Sequence, residues 1–387
     1  MSKPLVIAFD AKRIVSNATG LGSYGRTLVN DLTALDASVQ WRLYAPSAGR
    51  DDLRGQIVSR PNLAFAYPRS SVWVKAFWRS RGIVSDLLRD GVQVYHGLSG
   101  ELPLGIRRSG VKSVVTIHDL IFLRHPEYYH WPDTSIYAWK FRQTIGQADR
   151  IVAISECTKR DIVELGQVDP ERIQVIYQSC ATRFASVPSS DDCAQVRSRY
   201  QLPARYVLSV GTIEQRKNML LAVQALPLMP ADVHLVVVGR ATDYARQLTR
   251  FAEANGLMHR LHLLHGVPDS HLPALYAQAE AFVYPSRYEG FGIPVIEAIR
   301  QGLPVVACTG SCLEEAGGPH CLYVSPDDPA ALAHALGQML RGASERERRI
   351  ELSRQYIRRF DGNQAAETFL QLYQQLAEEE KYIMRNA

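Results

Sequence analysis

Two carboxylates, Glu289 and Glu297, stand eight positions apart in PSRYEGFGIPVIEAIRQGLPVVA (285–307), with two glycines, a phenylalanine and a proline between them. Pro294 suits the first turn of a helix and Gly302 the position just past its end, so IPVIEAIRQG reads as a helix that leaves a glycine turn. Glu289 then lies in the strand-to-helix loop, beside the backbone N–H groups that Gly290 and Gly292 expose. Glu297 lies in the first turns of the helix, and its carboxylate can point back to the same side. Carboxylates accept hydrogen bonds from vicinal hydroxyls, so one acid can hold a hexose and the other a ribose, with phosphates between. The competing account, in which Glu297 only caps or salt-bridges its own helix, fits the spacing and the glycines less well.

The other strand ends carry complementary groups. GTIEQRKN (211–218) places Arg216 and Lys217 where a strand gives way to a helix. Two fixed cations there suit a diphosphate, although a solvated basic pair would look the same. TGLGSYG (19–25) brings Gly20, Gly22 and Gly25 to a helix start near Gly22, where a phosphate can approach free N–H groups; a plain tight turn is the alternative. VVTIHDL (114–120) ends on His118 and Asp119, a functional imidazole at a strand end or a satisfied structural group whose neighbour caps the next segment.

The elements that must position these residues are short apolar runs, at 4–10, 92–97, 112–119, 149–155 and 172–177, alternating with helix-like segments such as 22–35 and 132–147. Strands buried on both faces read this way, so a parallel sheet covered by helices is expected. The polar stretch 186–204 interrupts the alternation and reads as a linker, with a proline at each side in Pro188 and Pro203. The pattern restarts with runs at 205–211, 233–239, 261–266, 281–286, 303–308 and 322–326. The expected organisation is α/β: a Rossmann-like domain over 1–185, a second over 205–355, and an amphipathic helical tail over 356–387. The dinucleotide fingerprint is missing, because the glycines follow the first strand too distantly and no acid follows the second.

Composition narrows the classes. The chain has 387 residues, with 46% hydrophobic and 21% charged, ordinary for a two-domain globular enzyme. The net charge of +5 is too mild to argue for nucleic acid. It is uneven: residues 1–185 hold 24 Lys/Arg against 17 Asp/Glu, and residues 186–387 hold 20 against 22. Six cysteines show no metal-binding spacing, and free thiols in a reducing compartment are expected. With no secretory leader and no apolar run of membrane-spanning length, a cytosolic protein is expected, soluble or attached to a surface. The stretch 69–82 sets Trp73, Phe77 and Trp78 among Lys75, Arg79 and Arg81, which fits either a helix lying on a membrane surface or one burying its aromatics in the core. No Asp-x-Asp motif is present, so no metal site is expected.

Taken together, the Glu289–Glu297 spacing, GTIEQRKN, TGLGSYG and VVTIHDL resemble the retaining glycosyltransferases of family 4, over nearly the whole chain and in the right order. The resemblance implies the GT-B fold, with two Rossmann-like domains, a nucleotide-sugar donor held mainly by the second, an acceptor on the first, and a C-terminal helix returning to the first. It implies that Glu297 binds the donor ribose and that Glu289 binds the donor sugar, with the backbone of Gly290, Phe291 and Gly292 close by. Arg216 and Lys217 would neutralise the diphosphate, Gly22 would offer it a backbone N–H, and the backbone near Val267 would meet the base. His118 would face the reacting sugar and His96 would lie on the acceptor side. One departure is that Thr212 stands where many members place the arginine, a role that Arg216 would take. The segments around both motifs look most like the mannosyl-transferring branch, which implies GDP-mannose, a saccharide or lipid-linked acceptor, peripheral membrane association and work in surface-polysaccharide assembly without a metal or other cofactor. A nucleotide-sugar epimerase and a catalytically silent binding protein of the same fold are the rival readings.

Overall fold

The computed structural model describes residues 4–68 and 77–386. The chain divides into two units, one formed by Met1–Ser179 with Phe360–Ala387 and the other by Cys180–Arg359.

The first unit holds seven strands: β1 (Val6–Asp10), β2 (Gln40–Tyr44), β3 (Leu63–Ala66), β4 (Val94–Gly97), β5 (Lys112–Ile117), β6 (Arg150–Ala153) and β7 (Ile173–Val175). They form one sheet in the order β3-β2-β1-β4-β5-β6-β7, with every pair parallel. The second unit holds six: β8 (Tyr206–Val210), β9 (His234–Val238), β10 (Leu261–Leu264), β11 (Ala281–Tyr284), β12 (Val305–Cys308) and β13 (Leu322–Val324). Their order is β10-β9-β8-β11-β12-β13, again all parallel. The central strands are buried along their whole length, β4, β11 and β12 at every residue, as strands covered on both faces require. In each sheet the direction of strand order reverses once, between β1 and β4 and between β8 and β11. Such a switch point leaves a crevice at the carboxyl ends of the two strands, where ligands of open α/β sheets bind. The motifs at 10–25 and 94–104 flank the first switch point, and those at 211–218 and 285–297 flank the second.

Two strands differ from the sequence expectation. β2 alternates, with Gln40 and Arg42 only half-buried between buried Trp41 and Leu43, and β3 has four residues, so neither shows a continuous apolar run. The segment 186–204, expected as a linker, is folded into the second unit. Ser189 and Asp192 form a capping box that starts the helix Ser190–Tyr200. Its Arg197 Nε donates to the Gln278 side chain at 2.9 Å. The stretch looks polar because its buried members are only Val196 and Leu202.

The chain ends in a helix Arg346–Ile357, a single 3-10 turn Arg358–Phe360 and a long helix Gly362–Asn386. In the long helix Ala366, Phe369, Leu372, Tyr373 and Leu376 are buried in the core of the first unit, together with Leu28, Val29 and Leu32 of the helix Gly20–Leu35. That spacing is one helical face, and each large side chain removed from water contributes about 1.5–3 kcal/mol.

Of the aromatic-basic stretch, residues 69–76, with Trp73 and Lys75, lie outside the described residues. Beyond them Trp78 belongs to the core, its Nε1 donating to Asp86 at 2.7 Å, while Phe77 is 60% exposed. Among the described residues, a larger exposed aromatic surface lies at Trp131 (84% exposed), Tyr137 (42%) and Trp139 (54%), on and just before the helix Asp133–Gln147. Among the described residues no helix is long and apolar enough to cross a membrane. All six cysteines are thiols rather than disulfides.

Candidate functional site

At the switch point of the second sheet, two loops bring the expected cations to the first glutamate. β8 ends at Val210 and runs into the 3-10 turn Gln215–Lys217. β11 ends at Tyr284 and runs through Ser286–Gly292 into the helix Ile293–Arg300. The turn is pinned from several sides. The Arg287 N–H donates to the Arg216 carbonyl at 2.9 Å, and Arg216 Nη1 donates to the Tyr288 carbonyl at 2.7 Å. The buried Cys312 thiol donates to the carbonyls of Phe291 (2.8 Å) and Glu289 (3.1 Å). Gly292 caps the helix at φ +116°, a conformation that L side chains rarely adopt, and a Cβ there would meet Leu313 Cδ2 at 2.9 Å.

Glu289 is the centre of this arrangement. Its Oε1 accepts from Lys217 Nζ at 2.6 Å and from the Ser286 hydroxyl, and its Oε2 pairs with Arg216 Nη1 at 2.9 Å. Arg216 also pairs with Glu214 at 2.8 Å, and Lys217 donates to the Tyr284 hydroxyl at 2.6 Å. Burial pushes the Glu289 carboxyl up, but Lys217 and Arg216 outweigh it and hold its pKa at about 2. Burial also lowers the pKa of the Lys217 ammonium, and Arg216 beside it adds to this against the pull of Glu289. The carboxylate therefore holds the two cations together, side by side, at the end of the sheet. A ligand diphosphate can share or replace that anion.

Glu297 has a different setting. It is the fifth residue of its helix and is buried, and its Oε2 accepts from the Tyr276 hydroxyl at 3.0 Å. Burial raises its pKa to about 7, with Arg183 acting in the opposite direction and Asp269 reinforcing the rise. Asp269 belongs to the loop after β10 that also contains half-buried Val267. Glu289 sits with the cations, and Glu297 sits near the β10 loop, its partner on another helix rather than its own.

In the first unit, His118 Nε2 donates to the Leu98 carbonyl and Nδ1 accepts from the Gln178 amide, both at 2.8 Å, with the Tyr24 ring edge-on at 4.8 Å. A carbonyl can only accept, so the proton is on Nε2, and burial lowers the ring's pKa to about 4. The imidazole is neutral and both nitrogens are engaged. Asp119 accepts from the Ile121 N–H, as a cap would. His96 corrects an expectation. It is wholly buried, its nitrogens bonded to Tyr373 (2.6 Å) and Thr116 (2.8 Å), and it ties the C-terminal helix to the sheet instead of facing an acceptor. Gly22 also differs, because its N–H donates to the Thr19 carbonyl at 3.0 Å rather than standing open to a phosphate. The glycine is needed there for closeness, since a Cβ would fall 1.8 Å from the Asn17 carbonyl oxygen. Tyr276, Tyr284, Ser286 and Cys312 were missed by sequence reasoning. Nothing local in the sequence signals the partner of any of them.

Comparison with known proteins gives a consistent picture. Residues 18–182 match the family model Glycosyltransferase Family 4, and residues 196–356 match Glycosyl transferases group 1. The O-antigen chain mannosyltransferase B of Escherichia coli is 30% identical over 370 residues, which is 88% of this chain and 92% of that protein. A crystal structure of a glycosyltransferase from Rickettsia africae superimposes with a TM-score of 0.76 at 16% identity, covering 97% of this chain and 99% of that one. Anabaena HepE, solved in complex with UDP and glucose, superimposes with a TM-score of 0.73 at 16% identity, covering 96% of this chain and 100% of that one.

Proposed function

The chain belongs to glycosyltransferase family 4, in its mannosyltransferase-like branch and with the GT-B fold, and we propose that it transfers mannose from GDP-mannose to a saccharide or lipid-linked saccharide acceptor with retention at the anomeric carbon. The observation that carries the proposal is the convergence of Arg216 and Lys217 on Glu289 at a sheet switch point. In the reaction, the acceptor hydroxyl oxygen bonds to the anomeric carbon as the bond to the diphosphate oxygen breaks. The electron pair leaves with the diphosphate, and the hydroxyl proton passes to one of its oxygens on the same face.

The side chains fit a positioning and electrostatic role. Glu289 is held ionised by two cations and is a poor proton acceptor. His118, neutral with both nitrogens bonded, fixes the Leu98 loop. Arg216 and Lys217 meet the charge that develops on the leaving group. Glu297 and the loop around Val267 hold the ribose and base, and the backbone of Gly290, Phe291 and Gly292 lines the sugar. Work in surface-polysaccharide assembly, a cytoplasmic location and contact with the inner face of the membrane belong to the same reading. The Escherichia coli relative reported above is an O-antigen chain mannosyltransferase.

The test is to incubate the protein with GDP-mannose and a mannosyl acceptor and to follow the anomeric proton by NMR. An α-linked product with release of GDP is expected. A β-linked product overturns retention. A changed nucleotide sugar with no GDP released overturns transfer. Membrane contact has a separate check. Replacing exposed Trp131 and Ile136 by serine should reduce co-flotation with vesicles containing phosphatidylglycerol. Equal co-flotation of the variant and the parent counts against this surface.

A further inference from the structure

A cavity of about 480 Å³ opens at the switch point of the first sheet. Asp10 and Lys12 reach it from the end of β1, Glu101 from the loop after β4, Arg79 from the turn Trp78–Gly82, and Trp139 and Lys140 from the helix Asp133–Gln147. Arg79 joins the two acids, pairing with Asp10 at 2.8 Å and Glu101 at 2.5 Å, and Lys140 pairs with Glu101 at 3.1 Å. Asp10 is 4% exposed and Arg79 18%, so this pair is fixed, while Glu101 and Lys140 reach toward solvent. Lys12 also lines the cavity, and its ammonium has no ionic or hydrogen-bonding partner among the described residues. Burial lowers its pKa and Arg79 lowers it further, against the longer-range pull of the Glu101 and Asp10 carboxylates.

Two features set this cluster apart from a structural salt-bridge network. It walls a cavity instead of sealing one, with the half-exposed Trp139 ring on one side. It is also unbalanced, because three cations face two carboxylates and the formal charge is +1. Carboxylates and a guanidinium held rigid by each other recognise hydroxyl groups, and an indole face suits the C–H face of a sugar ring. The unpartnered ammonium calls for an anion.

We propose that this pocket binds an acceptor saccharide carrying one anionic group, with Trp139 against the ring, Asp10, Glu101 and Arg79 on the hydroxyls, and Lys12 on the anion. The proposal rests on the reading of the chain as a sugar transferase and specifies the acceptor it takes.

The experiment measures binding without turnover. Protein carrying Lys217→Ala, whose turnover is expected to be low, is titrated by calorimetry with mannose and with mannose 1-phosphate. The phosphate is expected to bind about tenfold more tightly than the neutral sugar, the equivalent of one charge-assisted hydrogen bond. Lys12→Met should remove that preference, Lys12→Arg should keep it, and Trp139→Ala should weaken both ligands. Thermal melting of each variant controls for folding. Equal affinities, no binding of either sugar, or a preference that survives Lys12→Met overturns the pocket. The two readings fail separately. If the binding pattern appears but no sugar is ever transferred, the transferase reading falls and the pocket stands. If transfer to an acceptor carrying an anionic group proceeds with an acceptor KM unchanged by Lys12→Met, the pocket falls and the transferase stands.

Discussion

Replacing Lys217 by alanine should lower turnover by about 10²–10³, while excess EDTA should leave the unmodified enzyme's rate unchanged. Both expectations come from one electrostatic requirement. A departing nucleotide diphosphate gathers negative charge, and something must meet it. Lys217 Nζ and Arg216 Nη1 are both fixed on the Glu289 carboxylate, at 2.6 and 2.9 Å, in a buried setting where each charge interaction is stronger than in water. They are held in place before the reaction and need no reorganisation as charge develops. Losing Lys217 leaves Arg216 as the remaining fixed cation on Glu289, and that pair remains bonded to Glu214 and the Tyr288 carbonyl. Turnover should therefore fall much further than stability, and circular dichroism with thermal melting separates the two. If EDTA abolishes transfer and magnesium or manganese restores it, the cation pair is not what neutralises the leaving group. A Lys217→Ala enzyme within a few-fold of the parent rate would say the same.

Nucleotide affinity should rise from pH 6 to pH 8, while the stability of the unliganded protein falls over a lower range. The common cause is Glu297. Its burial raises the carboxyl pKa from 4.5 to about 7. Between those values the folded chain keeps a proton that the unfolded chain has lost, so the folded state binds more protons and stability declines as pH increases. The decline is complete above pH 7 and amounts to about 3 kcal/mol at most. The ionised carboxylate is the better acceptor for two ribose hydroxyls, so nucleotide binding draws the proton off and is favoured above the pKa. Glu297→Gln should flatten both profiles. Glu297→Ala should weaken nucleotide binding by about 1.5–3 kcal/mol, the usual range for a hydrogen bond to a charged group. Calorimetry across the pH range reads the first effect and denaturant titration the second. A Glu297→Gln protein with the parent's pH dependence would place the titration on another group. Glu289 does not contribute in this window. Its pKa is depressed to about 2, so the stability it adds is present above its ordinary 4.5 and is lost only as pH falls below that.

Local pattern alone determined the repeating elements. Continuous apolar runs marked the buried parallel strands, because a strand covered on both faces has no polar position. β2 and β3 escaped for the same reason, since Gln40 and Arg42 interrupt one and the other is only four residues long. The glycine turn, Pro294 and Gly302 marked the helix that carries Glu297, because caps are written within a few residues of the ends they terminate. The same local rule, applied to Ser189 and Asp192, would have shown a helix where a polar linker was expected.

What only the tertiary structure decided is who meets whom. Lys217 and Glu289 are 72 positions apart, and no periodicity encodes their contact. The parallel order that places β8 beside β11 does, by bringing the two loop ends together. His96 and His118 look alike in sequence, each at the end of a strand. One is sealed beneath Tyr373, 277 positions away, and the other stands half-buried with a fixed tautomer. The pocket around Arg79 is of the same kind. Asp10, Arg79, Glu101 and Lys140 are unremarkable charges along the chain, and they become a site because strand order at a switch point gathers their loops around one cavity.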